Sequence, residues 1–300
     1  HQRSGEVLGV NEKMIYSLIS DKGLPATKVT GKWLFPAHLL ESWVERNTVN
    51  YEVRSDLLQQ ASPLLVVAGS NDVLLDKLMA TFMRQHPERL AVFGNCGSMG
   101  GLAALRKGLC HIATSHLKHE DDDEFNFVFT RDELDEVPAI VNLCLREQGL
   151  IVPKGNPKGI SSIADIPGKG LTLVNRSQGT GTRRLLDLEL ELLGLDKKAR
   201  QALSGYGNEV GRHLDVGFAV LSGQADTGPA IRIVADLLGL DFAPIGWERF
   251  DLLISKRFFF DKGVQAFLAL LHDQAFQAGA QNLAGYDLNL CGKMVYPSEA

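Results

Sequence analysis

From Leu64 onward the chain alternates short apolar runs with longer stretches of helical period. LLVVAG (64–69) is followed by LLDKLMATFMRQH (74–86), LAVFGN (90–95), GGLAALRKGL (100–109) and HIATSHL (111–117). The short runs read as buried strands, and the stretches with apolar residues three and four apart read as amphipathic helices. Strands and helices taken in turn predict parallel α/β structure. The rhythm resumes with LTLVN (171–175), RRLLDLELELLG (183–194), VGFAVLSG (216–223) and DLLIS (251–255), and it closes on a helix around VQAFLALLHDQAFQ (264–277). The first 60 or so residues are different: short amphipathic pieces holding two of the three tryptophans, Trp33 and Trp43, followed by a polar stretch, VRSDLLQQAS (53–62), that ends at Pro63.

That first segment has the layout of a DNA-contacting module. Glu6-Val7-Leu8 ends one helix, Gly9 permits a tight turn, and Asn11 can cap a second helix that carries Lys13, Met14, Tyr16 and Ser17. Met14, Leu18, Ile15 and Ile19 are expected to face the core, which leaves Lys13, Tyr16 and Ser17 to reach a groove or phosphates. GLPATKVTGKWLFP (23–36) then predicts a hairpin, with strands through Lys28-Val29 and Lys32–Phe35 joined at Thr30-Gly31, before a helix starting at Pro36-Ala37-His38. Helix, LGV turn, helix, LPA, GKWLFP and LLESWV resemble, in that order, the winged helix-turn-helix of the excisionase/MerR-like family. The resemblance implies DNA binding through residues 11–17 and the wing, with Asn11, Lys13, Tyr16, Ser17, Lys28, Thr30 and Lys32 as the contacting residues. Over residues 1–35, Arg3, Lys13, Lys22, Lys28 and Lys32 face Glu6, Glu12 and Asp21, a net of only +2. Phosphate neutralisation supplies most of the affinity for DNA, so a homodimer reading two half-sites of an operator is expected. The alternative is an interaction domain that kept the fold and lost DNA.

In the larger part, three stretches put small hydroxyl-bearing residues and glycines directly before a helix. They are Gly69-Ser70-Asn71-Asp72, Gly97-Ser98-Met99-Gly100-Gly101, and Asn175-Arg176-Ser177-Gln178-Gly179-Thr180-Gly181-Thr182-Arg183. Each combines backbone N–H groups, a hydroxyl and the positive end of a helix dipole, which is the chemistry of an anion site. No GxxxxGK[ST] is present, so a nucleotide P-loop is not supported.

The order of GSND, GSMGGLAAL, HL (116–117), FN (125–126), REQGL (146–150), GNPKGI (155–160), NRSQGTGTRRLLD (175–187), GY (205–206), H-L-x-V (213–216), ADTG (225–228), LDF (240–242) and ERFDLLI (248–254) resembles one family. It is the periplasmic-binding-protein-like domain found behind excisionase-type modules in prokaryotic regulators and related to molybdate- and tungstate-binding proteins. The resemblance implies an α/β chain in which a winged helix-turn-helix (1–52) and a linker (53–62) precede a two-lobed type II binding domain (63–300). Lobe one would be 63–145 with 250–300, and lobe two 146–249. It implies a small oxyanion such as molybdate or tungstate in the cleft, held by Ser70, Ser98 and Met99 from lobe one and by Thr180, Gly181 and Thr182 from lobe two. Ser177, Arg176 and Arg183 would be further contacts. The chain departs from the family at Arg212, where a Thr usually precedes H-L-x-V, and at Thr227-Gly228-Pro229-Ala230. Arg212 either adds charge to the site or points to solvent. Asp72 either caps its helix or faces the ligand; only the second would suit a protonated anion such as monohydrogen phosphate.

The remaining features narrow the functional classes. The 300 residues carry a net charge of −5, 45% hydrophobic and 22% charged residues, which excludes a disordered or coiled-coil protein. No apolar run is long enough to cross a bilayer. Cys96, Cys110, Cys144 and Cys291 form no CxxC, consistent with free thiols in a cytoplasmic protein. His116 and His119 beside EDDDE (120–124) match no metal motif, and Glu248, Asp251 and His213 match no acid/base set, so neither an enzyme nor a cofactor is expected. The expected function is a ligand-responsive transcriptional regulator. The alternatives are an oxyanion-binding transport protein with a vestigial N-terminal module, and a factor in molybdenum metabolism.

Overall fold

The computed structural model describes residues 12–29, 31–49, 63–118, 125–134 and 136–295. The chain forms two units, His1–Asp56 and Leu57–Ala300. Asn11, Thr30, His119, the 53–62 stretch and the acidic 120–124 run lie outside the described residues.

In the first unit, helix α1 (Glu12–Lys22) is followed by strands β1 (Thr27–Val29) and β2 (Lys32–Leu34) and by helix α2 (Ala37–Asn47). The strands pair antiparallel with Val29 opposite Lys32, and Gly31 supplies the positive φ of +78° at the tip. Ile15, Leu24 and Leu40 form the core, with Leu18, Ile19, Phe35 and Trp43 packed around them. The Trp43 indole N–H donates to the Lys22 carbonyl at 3.0 Å, tying α2 to the end of α1. One expectation needs correcting: Met14 is 54% exposed and does not join the core. The apolar stripe of α1 is centred on Ile15, between Leu18 and Ile19, and Met14 lies about 40° beyond its Leu18 edge. Lys13, Tyr16, Ser17 and Lys28 are exposed.

The second unit contains one mixed sheet of order β11-β6-β10-β5-β3-β4, with β9 also on β6. Its strands are β3 (Leu64–Gly69), β4 (Leu90–Asn95), β5 (Ile112–Ser115), β6 (Ala139–Val152), β9 (Gly228–Ile231), β10 (Asp241–Ile254) and β11 (Tyr286–Asp287). A separate parallel pair joins β7 (Asn175–Arg176) to β8 (Glu209–Val210). β3, β4 and β5 are parallel, as right-handed crossovers through α3 (Val73–Gln85) and α4 (Gly97–Arg106) require. The helices that follow are α5 (Phe127–Glu133), α6 (Asp165–Gly168), α7 (Gly181–Leu192), α8 (Lys197–Gln201), α9 (His213–Leu221), α10 (Arg232–Leu238), α11 (Lys262–Ala269) and α12 (Gln274–Gln281).

The 14-residue strands β6 and β10 pair antiparallel along their whole length and belong to both halves of this unit. The Asp251–Ile254 end of β10 pairs with β5 and through it joins β3, while the Gln148–Ile151 end of β6 pairs with β9. Each half has its own core. In the first, Leu65, Val67, Leu78, Phe82, Phe250 and Phe267 pack on one side of the sheet, with Leu102, Ala113, Leu117 and Leu253 on the other. In the second, Ile151 packs with Val174, Val216 and Val234, and its neighbour Leu150 with Leu173, Leu186 and Leu190. Consecutive β6 residues thus fill cores on opposite faces, the mark of a strand covered on both sides. Between the cores the two strands carry polar residues: Arg146 and Gln148 on β6, and Glu248 opposite Arg146 on β10. Gly69 is needed where β3 ends, because φ is +136° and a Cβ there would lie 2.3 Å from the Thr114 carbonyl oxygen.

Candidate functional site

Asp72 caps α3 and accepts from the Leu74 and Leu75 amides at 2.7 and 3.4 Å. Its other oxygen accepts from Arg146 Nη1 at 2.7 Å, and the Tyr286 hydroxyl donates to both oxygens at 3.1 Å. Of the two roles open to Asp72, the structure shows the cap. Arg146 is fully buried, with its guanidinium over the Phe250 ring at 4.1 Å, and its Nε donates to Glu248 Oε1 at 2.6 Å. Gln148 Nε2 donates to the same oxygen at 2.6 Å and to Thr182 Oγ1 at 3.1 Å. Glu248 Oε2 meets His116 Nδ1 at 2.8 Å, and His116 Nε2 meets Ser70 Oγ at 3.0 Å. The chain of contacts runs from Asp72 and Ser70 in the first half, through the paired strands, to Thr182 in the second.

The charges of this chain are mutually fixed. Burial alone would push Glu248 up, but His116 and Arg146 outweigh it and hold its carboxyl at about 2. Burial works against the Arg146 charge, but Glu248 and Asp72 reverse this and raise its pKa. For His116 burial wins: together with Arg146 it outweighs Glu248 and lowers the ring below its usual value. A neutral His116 facing an ionised Glu248 carries its proton on Nδ1, so Nε2 accepts from the Ser70 hydroxyl.

Next to this balanced set lies one that is not balanced. Arg176, at the end of β7, is 1% exposed, and its Nε and Nη1 have no hydrogen-bond partner. His213, the first residue of α9, is 1% exposed, and neither ring nitrogen has a partner. Arg146 Nη2 and Gln148 Oε1 are also unpartnered, so these four residues hold six of the ten such atoms among the described residues. Burial, then Arg146, lowers the Arg176 guanidinium to about 10. Burial, then the charges of Arg176, Arg146 and His116, holds His213 well below its usual value. A buried donor without a partner is destabilising by about 1–3 kcal/mol, and a buried unpaired charge by more. Arg183 is the contrast: equally buried, it bonds Asp187 and Glu209 and stacks on Tyr206. These orphaned donors stand at the end of β7 and in the first turn of α9, where the helix dipole adds to the positive potential.

The residues expected to bind ligand fall into groups. Ser98 Oγ accepts the His116 backbone N–H at 3.3 Å and keeps its own proton to donate. Thr182 Oγ1 likewise accepts, from Gln148. Ser70 donates to His116 and so presents lone pairs rather than a donor. Thr180 Oγ1 donates to the Ser177 carbonyl and accepts the Arg183 amide, so its hydroxyl is committed to capping α7. The Ser177 hydroxyl is spent on the Val210 carbonyl. Arg212 is exposed: as the residue before α9 it turns outward, its N–H bonding Asp215, while the next residue, His213, turns inward. The half-buried Met99 joins the two halves through its amide to the Gly179 carbonyl at 3.3 Å. Ser70, Ser98, Gly181 and Thr182 are brought around His116; Arg212 and the Thr180 and Ser177 hydroxyls are not available there.

Gly181 is required by that convergence, since a Cβ on it would lie 2.5 Å from the His116 ring. We expect Gly181→Ala to displace the ring or part the halves, destabilising by about 1–3 kcal/mol in chemical denaturation. Gly168→Ala, where a Cβ meets nothing within 4 Å and φ is not positive, provides the control. A cavity of about 110 Å³ opens beside His116, Gln148, Gly181 and Glu248, walled by Leu185, Leu188 and Trp247; Arg176 and His213 do not line it. Among the described residues no group of three or more His, Cys, Asp or Glu could hold a metal, and no helix is long and apolar enough to cross a membrane.

His116, His213, Arg146, Gln148 and Glu248 were not expected as site residues. A signal was present: Asn142, Arg146 and Gln148 recur at even spacing within the largely apolar AIVNLCLREQGLIV, which is the spacing of one face of a buried strand.

A fold in which two α/β halves share a pair of long strands and meet over buried donors defines a class of two-lobed ligand-binding domains. Residues 79–272, well over half of the chain, match the PBP superfamily domain, and the chain belongs to that superfamily. Residues 5–48 match a helix-turn-helix domain. The chain is 27% identical over 297 residues to the uncharacterized protein YvgK of Bacillus subtilis (strain 168), covering 96% of this chain and 94% of that one. Among solved structures it is similar to a putative phosphate ABC transporter substrate-binding protein with bound phosphate from Clostridium perfringens. That match has a TM-score of 0.56 at 14% identity and covers 72% of this chain and 95% of that one. It is also similar to a reduced form of OxyR from N. meningitidis, at a TM-score of 0.50 and 17% identity over 78% and 100% of the two chains. These structures support the α/β binding-protein-like fold of the larger unit, and the family match supplies the helix-turn-helix that precedes it in the chain.

Proposed function

We propose that the protein is a DNA-binding transcriptional regulator whose larger unit senses a small oxyanion. The observation that carries this is Arg176, a buried guanidinium with no carboxylate partner among the described residues, whose charge acts on a buried histidine, His213, that also lacks partners. Folding that leaves such atoms unpaired is compensated when an anion binds them. Fully ionised tetrahedral anions, molybdate, tungstate or sulfate, need donors only, and Arg176, Ser98 and Thr182 supply them. In this reading the anion stabilises the contact between the halves and so biases the DNA-binding unit, acting only through its differential affinity for two states. The protein works in the cytoplasm as a homodimer on operator DNA and carries out no reaction. Its test is a thermal-shift and gel-shift series with molybdate, tungstate, sulfate and phosphate. At a hundredfold excess over Kd the anion that binds adds about 2.7 kcal/mol to stability. An unchanged melting temperature and an unchanged DNA affinity for all four would refute the reading.

Lys28 projects from the wing over the Trp33 ring at 5.7 Å and is exposed. As a phosphate contact, its loss in Lys28→Ala should weaken binding to all DNA sequences alike. The slope of log K against log salt should flatten by about 1 per lysine, measured by fluorescence anisotropy.

One observation favours a second reading. Ser70, His116 and Glu248 are joined in the order of a serine-hydrolase triad. Against it, Glu248 is neutralised by Arg146 and Gln148 rather than left to stabilise an imidazolium, and Ser70 is 1% exposed. Covalent labelling of Ser70 by a fluorophosphonate would replace the sensor with a hydrolase; no labelling is expected.

A further inference from the structure

We propose that His213 takes up a proton when a fully ionised divalent oxyanion enters the cleft, so that the protein binds anion and proton together. The proposal rests on the anion-sensor reading and adds to it which group adjusts its charge. The buried formal charges here already cancel: Arg146 and Arg176 are positive, Asp72 and Glu248 negative, and two neutral imidazoles add nothing, while the partly exposed Asp215 stays in reach of water. A dianion entering this set would leave a net of two negative charges in a region closed to water, which a low dielectric makes strongly unfavourable. One more positive charge is needed, and the orphaned ring is placed to supply it.

Two histidines are candidates, and their surroundings differ. Both nitrogens of His116 are engaged, Nδ1 with Glu248 and Nε2 with Ser70, and a proton on Nε2 would displace the Ser70 donor. Both nitrogens of His213 are buried and unpartnered, so protonation breaks no bond and converts a ring with one donor and one lone pair into one with two donors. The charged groups acting on the ring come from every element around it. Arg176 on β7, Arg146 on β6 and His116 after β5 disfavour the imidazolium. Asp215, two residues along α9, is engaged by the Arg212 amide and acts with Glu248 on Arg176. Burial and the two arginines keep the ring neutral in anion-free protein. A bound dianion has the opposite sign to the arginines and moves the ring upward. Because the bound-state value is the higher one, affinity rises as pH falls between the two values, by about tenfold per pH unit for one proton.

The test is isothermal titration of the full chain with sodium tungstate and sodium sulfate, in buffers of differing ionisation enthalpy, from about pH 6 to 8. Both anions are fully ionised there, so any proton taken up is the protein's. The expected result is an uptake approaching one proton per anion and a Kd that falls about tenfold per unit decrease in pH, with both effects absent in His213→Gln. Binding with no proton uptake, or equal uptake in His213→Gln, overturns the proposal and leaves the sensor reading standing. Failure of every divalent oxyanion to bind defeats both. If His213→Gln does not fold, imidazole nitrogen resonances of the unaltered protein decide: one ring turning to imidazolium on adding tungstate agrees, and none doing so overturns it.

Discussion

Arg176→Met is expected to melt at a higher temperature than the unaltered protein in anion-free buffer, and to lose its response to oxyanions. The two effects have one cause. Arg176 is 1% exposed, with two guanidinium nitrogens unpaired and its pKa depressed first by burial and then by Arg146. An uncompensated buried charge is a standing destabilisation, and an apolar chain of similar length is worth about 1–4 kcal/mol more in such a place. Methionine fills the volume with few packing changes. Without the guanidinium the anion loses an unpaired cationic contact, and affinity should fall at least about 100-fold, near 2.7 kcal/mol. Stability traded against binding in this way is typical of functional residues. Calorimetry with and without tungstate reads both halves of the result. A variant less stable than the parent, or one that still shifts with anion, would show that Arg176 is a structural residue with partners of its own.

Arg146→Met should act in the opposite direction. Arg146 lies between Asp72 and Glu248 at 2.7 and 2.6 Å, and removing it leaves two buried carboxylates facing each other without a cation. The expected loss is about 3–5 kcal/mol, measurable as a lowered urea midpoint. The acid limb should change as well. Glu248 is held at about 2, below the usual carboxylate value of 4.5, so its contribution is present above pH 4.5 and is lost as pH falls toward 2. In Arg146→Met one of the two groups that hold Glu248 down is gone, its value rises toward the unfolded one, and the loss of stability between pH 4.5 and 2 should be smaller than in the parent. Adding Glu248→Gln should recover part of the loss, because the second change removes the charge the first one stranded. Strict additivity of the two would mean that the pair is not coupled.

Much of the architecture was legible because it follows from periodicity. Ile15, Leu18 and Ile19 repeat at helical spacing and build the small core, and Thr30-Gly31 sits between two short runs that pair as a hairpin. Met14 was misplaced because its spacing to Leu18 fits a helical face equally well; the position of Leu24 and Leu40 against α1 decides which edge of the stripe is covered. In the larger unit the three glycine-flanked loops do precede α3, α4 and α7. Their hydroxyls were harder to assign. Ser70, Thr180 and Ser177 look alike as donors in a linear chain, yet Ser70 gives its proton to a histidine 46 positions away, and Thr180 and Ser177 spend theirs on carbonyls.

The order of residues along the chain therefore dictates which segments become strands and helices, and that several amide-rich loops exist, since propensity and period are local properties. Which side chains carry unpaired charge is not local. Arg176 and Arg183 stand seven positions apart in one motif, but folding brings Asp187, Glu209 and Tyr206 to Arg183 and, among the described residues, brings no carboxylate oxygen within bonding distance of Arg176. The same holds for Glu248, claimed by Arg146 from the neighbouring strand, and for His213, turned inward where Arg212 turns out. Compensation of a buried charge depends on partners arriving from distant parts of the chain, and strand register and helix packing set those meetings.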